Sequence, residues 1–327
     1  MAEIVDNPER PSISFVIPLF NEKESLEELH RRILQTMEPL KKPFEIIFVD
    51  DGSTDGSAEV LERLHRNDPR VKVIQFRRNF GKSAALNAGF RAASGAFVVT
   101  LDADLQDDPG EVPKLLQKLE EGYDLVSGWK KDRKDPLSRR LASRVFNFFT
   151  YLFSGIRLHD FNCGLKAYRR DVVKSISVYG ELHRYIPVVA HKNGFRVTEL
   201  PVVHHPRKYG RSKFGAARFF RGAFDLLTVT FLTRYSKRPL HLFGFLGILF
   251  FLSGTLISAV LAYQRLFLQR YLSNRPVLFL GILLIIVGIQ FFSIGLLGEM
   301  ITAINRDSDG YLIRRTLGLH WKNENLN

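Results

Sequence analysis

Two unbroken apolar runs, residues 242–263 and 277–297, limit most strongly how this chain can fold. Each is about the ~20 residues a helix needs to cross a ~30 Å hydrocarbon core, and neither carries a charge. A helix apolar all round must be buried in protein or in lipid, and two of this length are hard to bury in a small domain. The link between them, residues 264–276, is short and polar, so the pair reads as a transmembrane hairpin. With two spans, both flanks lie on one side. Arg234, Lys237 and Arg238 before the first span and Arg306, Arg314, Arg315 and Lys322 after the second favour the cytoplasm, against Arg265, Arg270 and Arg275 in the link. Residues 1–10 are polar and acidic with no apolar core, so no signal peptide is expected. The expectation is a cell-membrane protein with two spans, its N-terminal domain and both termini cytoplasmic.

Ahead of the spans the pattern changes. Ser14–Pro18, Phe44–Val49, Val71–Phe76 and Ala96–Leu101 read as buried strands. Helical stretches alternate with them: 24–37, 57–65 and the small-residue stretch 82–93. This alternation predicts a doubly wound, mostly parallel α/β sheet, which binds ligands at the carboxyl ends of its strands. A helix over 107–121 and a strand over 124–127 are expected next. Basic residues then crowd between Lys130 and Arg144, followed by Phe146, Phe148, Phe149 and Tyr151. A second stretch, 214–235, mixes arginine with phenylalanine. Both read as amphipathic segments at a membrane interface.

The residues that bear chemistry cluster at those strand ends. Asn21 and Glu22 follow the first strand, Asp50-Asp51-Gly52 the second, Asn79 and Lys82 the third, and Asp102-Ala103-Asp104 the fourth. Asp50-Asp51-Gly52 has turn composition, and with Asn21 and Glu22 it can also hold a ribose and base. Residues two apart on a strand point the same way, so Asp102 and Asp104 repel unless a cation lies between them. Hard carboxylate oxygens suit Mg²⁺ or Mn²⁺, ions that commonly bridge a protein to phosphate. The plain alternative is a solvated acidic turn. The formal net charge of +13 over 327 residues points to anionic partners, either nucleotide phosphates or lipid head groups. Nucleic acid is not expected, since neither zinc-finger spacing nor an RNP-like signature is present. Cys163 is the single cysteine, so intramolecular disulfides and Cys-rich metal sites are excluded. There is no GxGxxG after the first strand and no P-loop. His204-His205 lack further ligands at zinc spacing. Arg207-x-x-Gly210-x-Ser212-Lys213 gives a basic loop able to fold over phosphates.

Taken together, residues 18–22, 49–55, 79–82, 102–107, 160–164 and 207–213 resemble the GT-A fold, family 2 glycosyltransferases. Within these the chain is similar to the polyisoprenyl-phosphate, dolichol-phosphate-mannose-synthase-like group, in its bacterial form with two C-terminal spans. The resemblance implies a Rossmann-like GT-A catalytic domain over 12–213 after a tail at 1–11. It further implies amphipathic juxtamembrane helices at 214–238, a two-helix hairpin within 239–304 and a cytoplasmic tail at 305–327. It implies that Pro18, Asn21, Glu22, Asp50, Asp51, Lys82 and Asp102 line the nucleotide-sugar pocket, and that Asp102, Asp104 and Gln106 hold Mg²⁺ or Mn²⁺. By the same likeness Arg139 and Ser143 clamp an acceptor phosphate, Arg207 and Lys213 grip the donor diphosphate, and Asp160 lies near the sugar or metal. The implied reaction is inverting transfer of a hexose, UDP-glucose being the first choice of donor and GDP-mannose the alternative, to a polyprenyl phosphate such as undecaprenyl phosphate. The rivals are a processive polysaccharide synthase, which would need a Gln-x-x-Arg-Trp motif absent here, and a non-catalytic membrane-anchored sugar-nucleotide-binding scaffold. The aromatic faces of the interfacial helices leave room for a homo-oligomer.

Overall fold

The computed structural model describes residues 11–131, 151, 155–176, 178, 182–206, 208, 239–269, 276–304 and 313–318. These residues fall into two compact units, 1–226 with 310–327, and 227–309. The first is built on a mixed sheet. β1 (Ile13–Leu19) and β2 (Phe44–Asp50) are buried at every position, as expected of parallel strands covered on both faces. β3 (Val71–Phe76) and β4 (Phe97–Thr100) extend the parallel set, β3 beside β2 and β4 beside β1.

Helices α1 (Leu26–Met37) and α2 (Ser57–Asn67) bury one stripe each: Leu26, Leu29, Ile33 and Met37 on the first, Val60, Leu61 and Leu64 on the second. α3 (Lys82–Ala92) rides closest to the sheet, since a Cβ on Gly89 would lie 2.3 Å from the Val16 side chain. The helix expected over 107–121 begins later. Asp108 accepts from the Gly110 N–H at 2.9 Å and opens a 3₁₀ turn, Pro109–Glu111, before α4 (Val112–Glu120). β5 (Leu125–Trp129), β6 (Lys166–Arg169), α5 (Arg170–Ser175), α6 (Ile186–Lys192) and β7 (Val197–Pro201) complete one side. Among the described residues the sheet has eight strands in the order β7-β5-β6-β4-β1-β2-β3-β8. β6 runs antiparallel to both its neighbours.

The last strand, β8 (Ile313–Leu317), lies in the segment that sequence reading leaves as a tail. It pairs antiparallel with β3, and Arg315 forms an ion pair with Glu62 of α2.

At the amino ends of the strands a buried carboxylate ties four segments together. Glu45, 2 % exposed, accepts from Ser14 Oγ at 2.5 Å, Ser94 N at 2.9 Å, Ser94 Oγ at 2.7 Å and Lys72 Nζ at 2.6 Å. Burial pushes this carboxyl up, but the Lys72 ammonium and the serine donors outweigh it and hold it below the usual range.

The second unit consists of α7 (Pro239–Leu266) and α8 (Pro276–Ile304). Leu242–Leu266 and Pro276–Gly298 are long and apolar enough to cross a membrane, and only 17 % and 11 % of their most apolar windows are buried. Surfaces this apolar and this exposed belong in lipid, not in a protein core. The helices touch through glycine. A Cβ on Gly254 would stand 2.5 Å from the Gly281 carbonyl oxygen, and one on Gly288 2.6 Å from the Phe251 nitrogen. Without a hydrophobic force between helices in lipid, such backbone-to-backbone packing is what holds a pair together.

Two outcomes follow. Glu45→Gln removes the ion pair with Lys72 and costs about 2 kcal/mol at pH 7. Because the folded-state pKa of Glu45 is depressed, the wild-type advantage is complete above the unfolded carboxyl pKa. It is lost as pH falls through the folded value, which denaturant melts at neutral and acid pH will show. Gly288→Val drives the hairpin apart and lowers the melting temperature of the detergent-solubilised protein, whereas an exposed Leu256→Val leaves it unchanged.

Candidate active site

The carboxyl ends of β1, β2 and β3 are sewn to one another by backbone donors. Asn21, in the left-handed region at φ 56°, gives its N–H to Ser53 Oγ at 2.9 Å and accepts the Thr54 N–H at 2.8 Å. Glu22 N donates to Ser57 Oγ at 3.2 Å. Asp50 accepts the Ser53 N–H at 2.9 Å and closes its own turn. Asp51 takes the Phe80 and Gly81 N–H groups at 2.7 and 2.9 Å, fixing the loop that leads into α3. Gly52 has φ 74°, and a Cβ there would stand 2.5 Å from the Arg78 carbonyl carbon, so only glycine fits where these two loops touch. Burial pushes both Asp50 and Asp51 above the usual carboxylate range, against the donors that pull them down.

Beyond β4 the chain turns through Asp102, Asp104 and Gln106. Asp104 accepts the Gln106 N–H at 3.2 Å, and Leu105 between them has φ 62°, a strained conformation for a branched residue. Leu105 is held there by burial at 2 % exposure. Lys82, at the start of α3, forms an ion pair with Asp102. Next comes Asp107, 1 % exposed, with Lys130 Nζ at 3.1 Å and His204 Nδ1 at 3.5 Å. Burial raises this carboxyl, but Lys130 and His204 more than compensate and hold it well below the usual range; its charge in turn raises Lys130. Residues 204–205 run antiparallel along the same loop, His205 N donating to the Gln106 carbonyl at 2.8 Å. The segment leading to Arg207 is therefore strapped to the Asp102–Asp108 loop.

The 160–164 turn packs from the other side. Asp160, 2 % exposed, accepts the Asn162 N–H at 3.0 Å. A Cβ on Gly164 would lie 2.6 Å from the Asp102 carboxylate and 2.7 Å from that of Asp107, and Thr100 Oγ1 donates to the Gly164 carbonyl at 2.8 Å. Below Asp102 opens a small pocket, lined among others by Pro18, Lys82, Asn162, Lys166, Tyr168 and His183. Cys163, 1 % exposed, has its thiol pushed up to about 12 by burial and is inert as a nucleophile.

Of the residues expected to line a nucleotide-sugar pocket, Pro18, Lys82 and Asp102 surround this one space. Asn21, Glu22, Asp50 and Asp51 stand at the adjacent strand ends, where the described bonds of Asp50 and Asp51 go to the loops themselves. Asp104 and Gln106 share the turn that follows Asp102, and Asp160 is buried in the 160–164 turn. Arg139, Ser143, Arg207 and Lys213, with both amphipathic stretches, lie outside the described residues. Lys166, Tyr168 and His183 were not foreseen. A lysine set between the apolar Leu165 and Ala167-Tyr168 was the available signal. His183 is brought in by its 3.0 Å bond to Ser83 Oγ at the start of α3, a contact 100 residues away in the chain.

Asp102, Asp104 and Gln106 offer hard oxygens only, which fits Mg²⁺ or Mn²⁺. Among the described residues no three carboxylate, imidazole or thiolate groups gather as a protein cage. A cation here would complete its shell from water and a ligand's phosphate oxygens, the usual state of Mg²⁺.

Residues 14–177 match the glycosyl transferase family 2 domain. The chain is 37 % identical over 311 residues to a dodecaprenyl-phosphate galacturonate synthase of Rhizobium johnstonii, covering 93 % of this chain and 92 % of that one. It is 37 % identical over 297 residues to an undecaprenyl-phosphate 4-deoxy-4-formamido-L-arabinose transferase of Salmonella choleraesuis, covering 90 % and 89 %. Its fold is similar to that of a mannosyltransferase from Pyrobaculum calidifontis solved with GDP-mannose and Mn²⁺, with a TM-score of 0.51 at 18 % identity, over 91 % of this chain and 77 % of that one.

Asp107→Asn leaves the Lys130 ammonium buried without its counter-charge. It is expected to cost about 3 kcal/mol or more in denaturant unfolding, whereas Asp108→Asn, half exposed, costs about 1 kcal/mol or less.

Proposed function

The chain belongs to glycosyl transferase family 2, and we propose that it moves a sugar from a UDP-sugar to the phosphate of a polyprenyl phosphate at a membrane face. The observation that carries this reading is the ion pair of Lys82 with Asp102 at one pocket, with Asp104 in the turn that follows, in a chain that also exposes two apolar helices. The two relatives above, each named for transfer to a polyprenyl phosphate, support it. UDP-glucose is the donor first suggested by the sequence. The relatives are named for galacturonate and 4-deoxy-4-formamido-L-arabinose, so acidic and amino sugars belong in the same trial.

The chemistry asks little of a general base. A phosphate monoester is already ionised at pH 7 and can attack an anomeric carbon directly. The protein's work is to bring two anions together and aim one at the other. Lys82 holds Asp102 at the mouth of the pocket, and the strained turn at Leu105 presents Asp104 beside it. Asn21 and Glu22, with Asp50 and Asp51 fixing their loops, form the nucleoside side of the site. Arg207 follows the strapped 204–206 segment and, with Lys213, covers the diphosphate; Arg139 and Ser143 take the acceptor phosphate. A divalent cation on Asp102, Asp104 and Gln106 would supply the remaining charge for the departing nucleotide. Attack from the face opposite the leaving group inverts the anomeric centre.

The catalytic unit faces the cytoplasm in this proposal. Basic residues flanking the hairpin favour that side. Strand β8, which follows both spans, belongs to the same sheet as the strands that precede them. Both flanks of the hairpin thus lie on one side of the bilayer.

The test is transfer of labelled sugar into organic-extractable lipid by the detergent-purified full chain. Polyprenyl phosphate, Mg²⁺ or Mn²⁺, and a panel of UDP-sugars with GDP-mannose are supplied. A metal-dependent lipid product is expected from a UDP-sugar, and its absence with every donor overturns the proposal. Asp104→Ala lowers kcat/KM by about 10²-fold or more. Wild-type rates for that variant at saturating metal overturn the metal assignment.

A further inference from the structure

Within the apolar span of α8 stands one exposed carboxamide, Gln290. The span Pro276–Gly298 centres on residue 287, so at about 1.5 Å per residue Gln290 lies about 5 Å from the middle of the hydrocarbon. Its side chain is too short to reach either interface. Hydroxyls in these helices can return a bond to their own backbone. Ser253 and Thr255 do so, donating at 2.8 Å to the Leu249 and Phe251 carbonyls, as does Ser293, donating at 3.0 Å to that of Ile289. Among the described residues Gln290 makes no side-chain hydrogen bond. Two N–H donors and a carbonyl oxygen are thus left in a medium that offers no water.

The position of Gln290 on the helix is informative as well. Gly281 and Gly288 face α7. Gln290, two positions past Gly288, points about 200° round the helix and so away from α7. Phe279, Leu283, Ile286, Gln290, Ser293 and Leu297 recur at alternating steps of four and three, and all are exposed. The four apolar members are 74, 56, 49 and 57 % exposed. Alternating steps of four and three make the seam of a left-handed helix pair, and one polar residue within such a seam fixes its register. α8 therefore has two contact faces. The glycine face is used within the chain, and the heptad face is open. A carboxamide is complementary to a second carboxamide, each giving an N–H to the other's oxygen. Copies of this chain inserted with the same topology run their α8 helices parallel, which sets equal seam positions opposite each other.

We propose that α8 pairs in the bilayer with α8 of a second copy of this chain, through the seam from Phe279 to Leu297, with the two Gln290 carboxamides hydrogen-bonded to each other across it. Apolar side chains in the seam gain little over contact with lipid tails, so the amide pair supplies the preference for this partner. The pairing holds whatever donor the catalytic unit takes. The room for a homo-oligomer read from the sequence lay in the interfacial stretches, and this contact lies in the span instead.

The experiment is oxidative cross-linking of the full chain in phosphatidylcholine vesicles at rising lipid-to-protein ratio. Cys163 is buried and does not compete. Ile286→Cys lies on the seam. Leu249→Cys lies on α7 at the same level of the hairpin, since Gly254 meets Gly281 and Gly247 meets Gly288. Ile286→Cys is expected to give the covalent dimer and Leu249→Cys to lose most of that yield. In the Ile286→Cys chain, Gln290→Leu lowers the association constant, read from yield against dilution, about threefold or more, and Gln290→Asn keeps most of it. If Ile286→Cys is not recovered in the membrane, Leu297→Cys takes its place in the same comparison. Equal yield at seam and α7 positions overturns the proposal, as does a yield that Gln290→Leu leaves unchanged. No dimer from either seam position at any dilution also overturns it, and leaves this face to lipid or to another membrane protein.

Discussion

The buried charge of Asp107 is the constraint on which the rest of the site depends. Three segments distant in sequence converge on it: the loop after β4, Lys130 at the end of β5, and His204 in the segment after β7. The Gly164 backbone presses against the same carboxylate. A buried ion pair adds little net stability compared with an apolar pair of equal volume. It does penalise any arrangement in which one partner is missing, so the three segments reach their places together or at substantial cost. The turn that carries Asp102 and Asp104 is thereby set from outside, and the strain at Leu105 is sustained by its surroundings.

The first half of the fold was legible because each strand there is short, apolar and closed by turn residues. The four strand ends fell on one edge, and that edge holds the site. What sequence could not show is long-range. β6 is four residues with a lysine at its start and an arginine at its end, a composition that reads as surface. It is a strand because β4 and β5 flank it, and Lys166 is buried for that reason alone. β8 is a similar case, since Arg314 and Arg315 within five residues look like a solvated tail until β3 and Glu62 are beside them. The roles of Asp50 and Asp51 were legible in position but not in detail. Their position at the strand end was clear, whereas the use of Asp51 in fixing a neighbouring loop depends on backbone groups some 30 residues away. The start of α4 was missed because the Asp108 cap and Pro109 impose a 3₁₀ turn first.

The two units solve different packing problems. In the sheet, large side chains fill the space between strands and helices, and α3 comes near only because Gly89 is bare. In the hairpin, water is not the solvent, and side-chain volume between the helices is removed at Gly247, Gly254, Gly281 and Gly288 until the backbones meet. Glycine thus appears where one surface must approach another and bulk is excluded, in both media.

The return of the chain to β3 also fixes an order of events during synthesis. The ribosome makes β1 to β7 first, then both apolar helices, and only then the strand that covers β3. Until that moment β3 presents an open edge of unpaired backbone groups, the kind of surface that recruits other chains. The domain is therefore born incomplete, and its sheet can close only once both helices of the hairpin and β8 have been made, so a chain that stalls within the hairpin keeps a raw edge exposed.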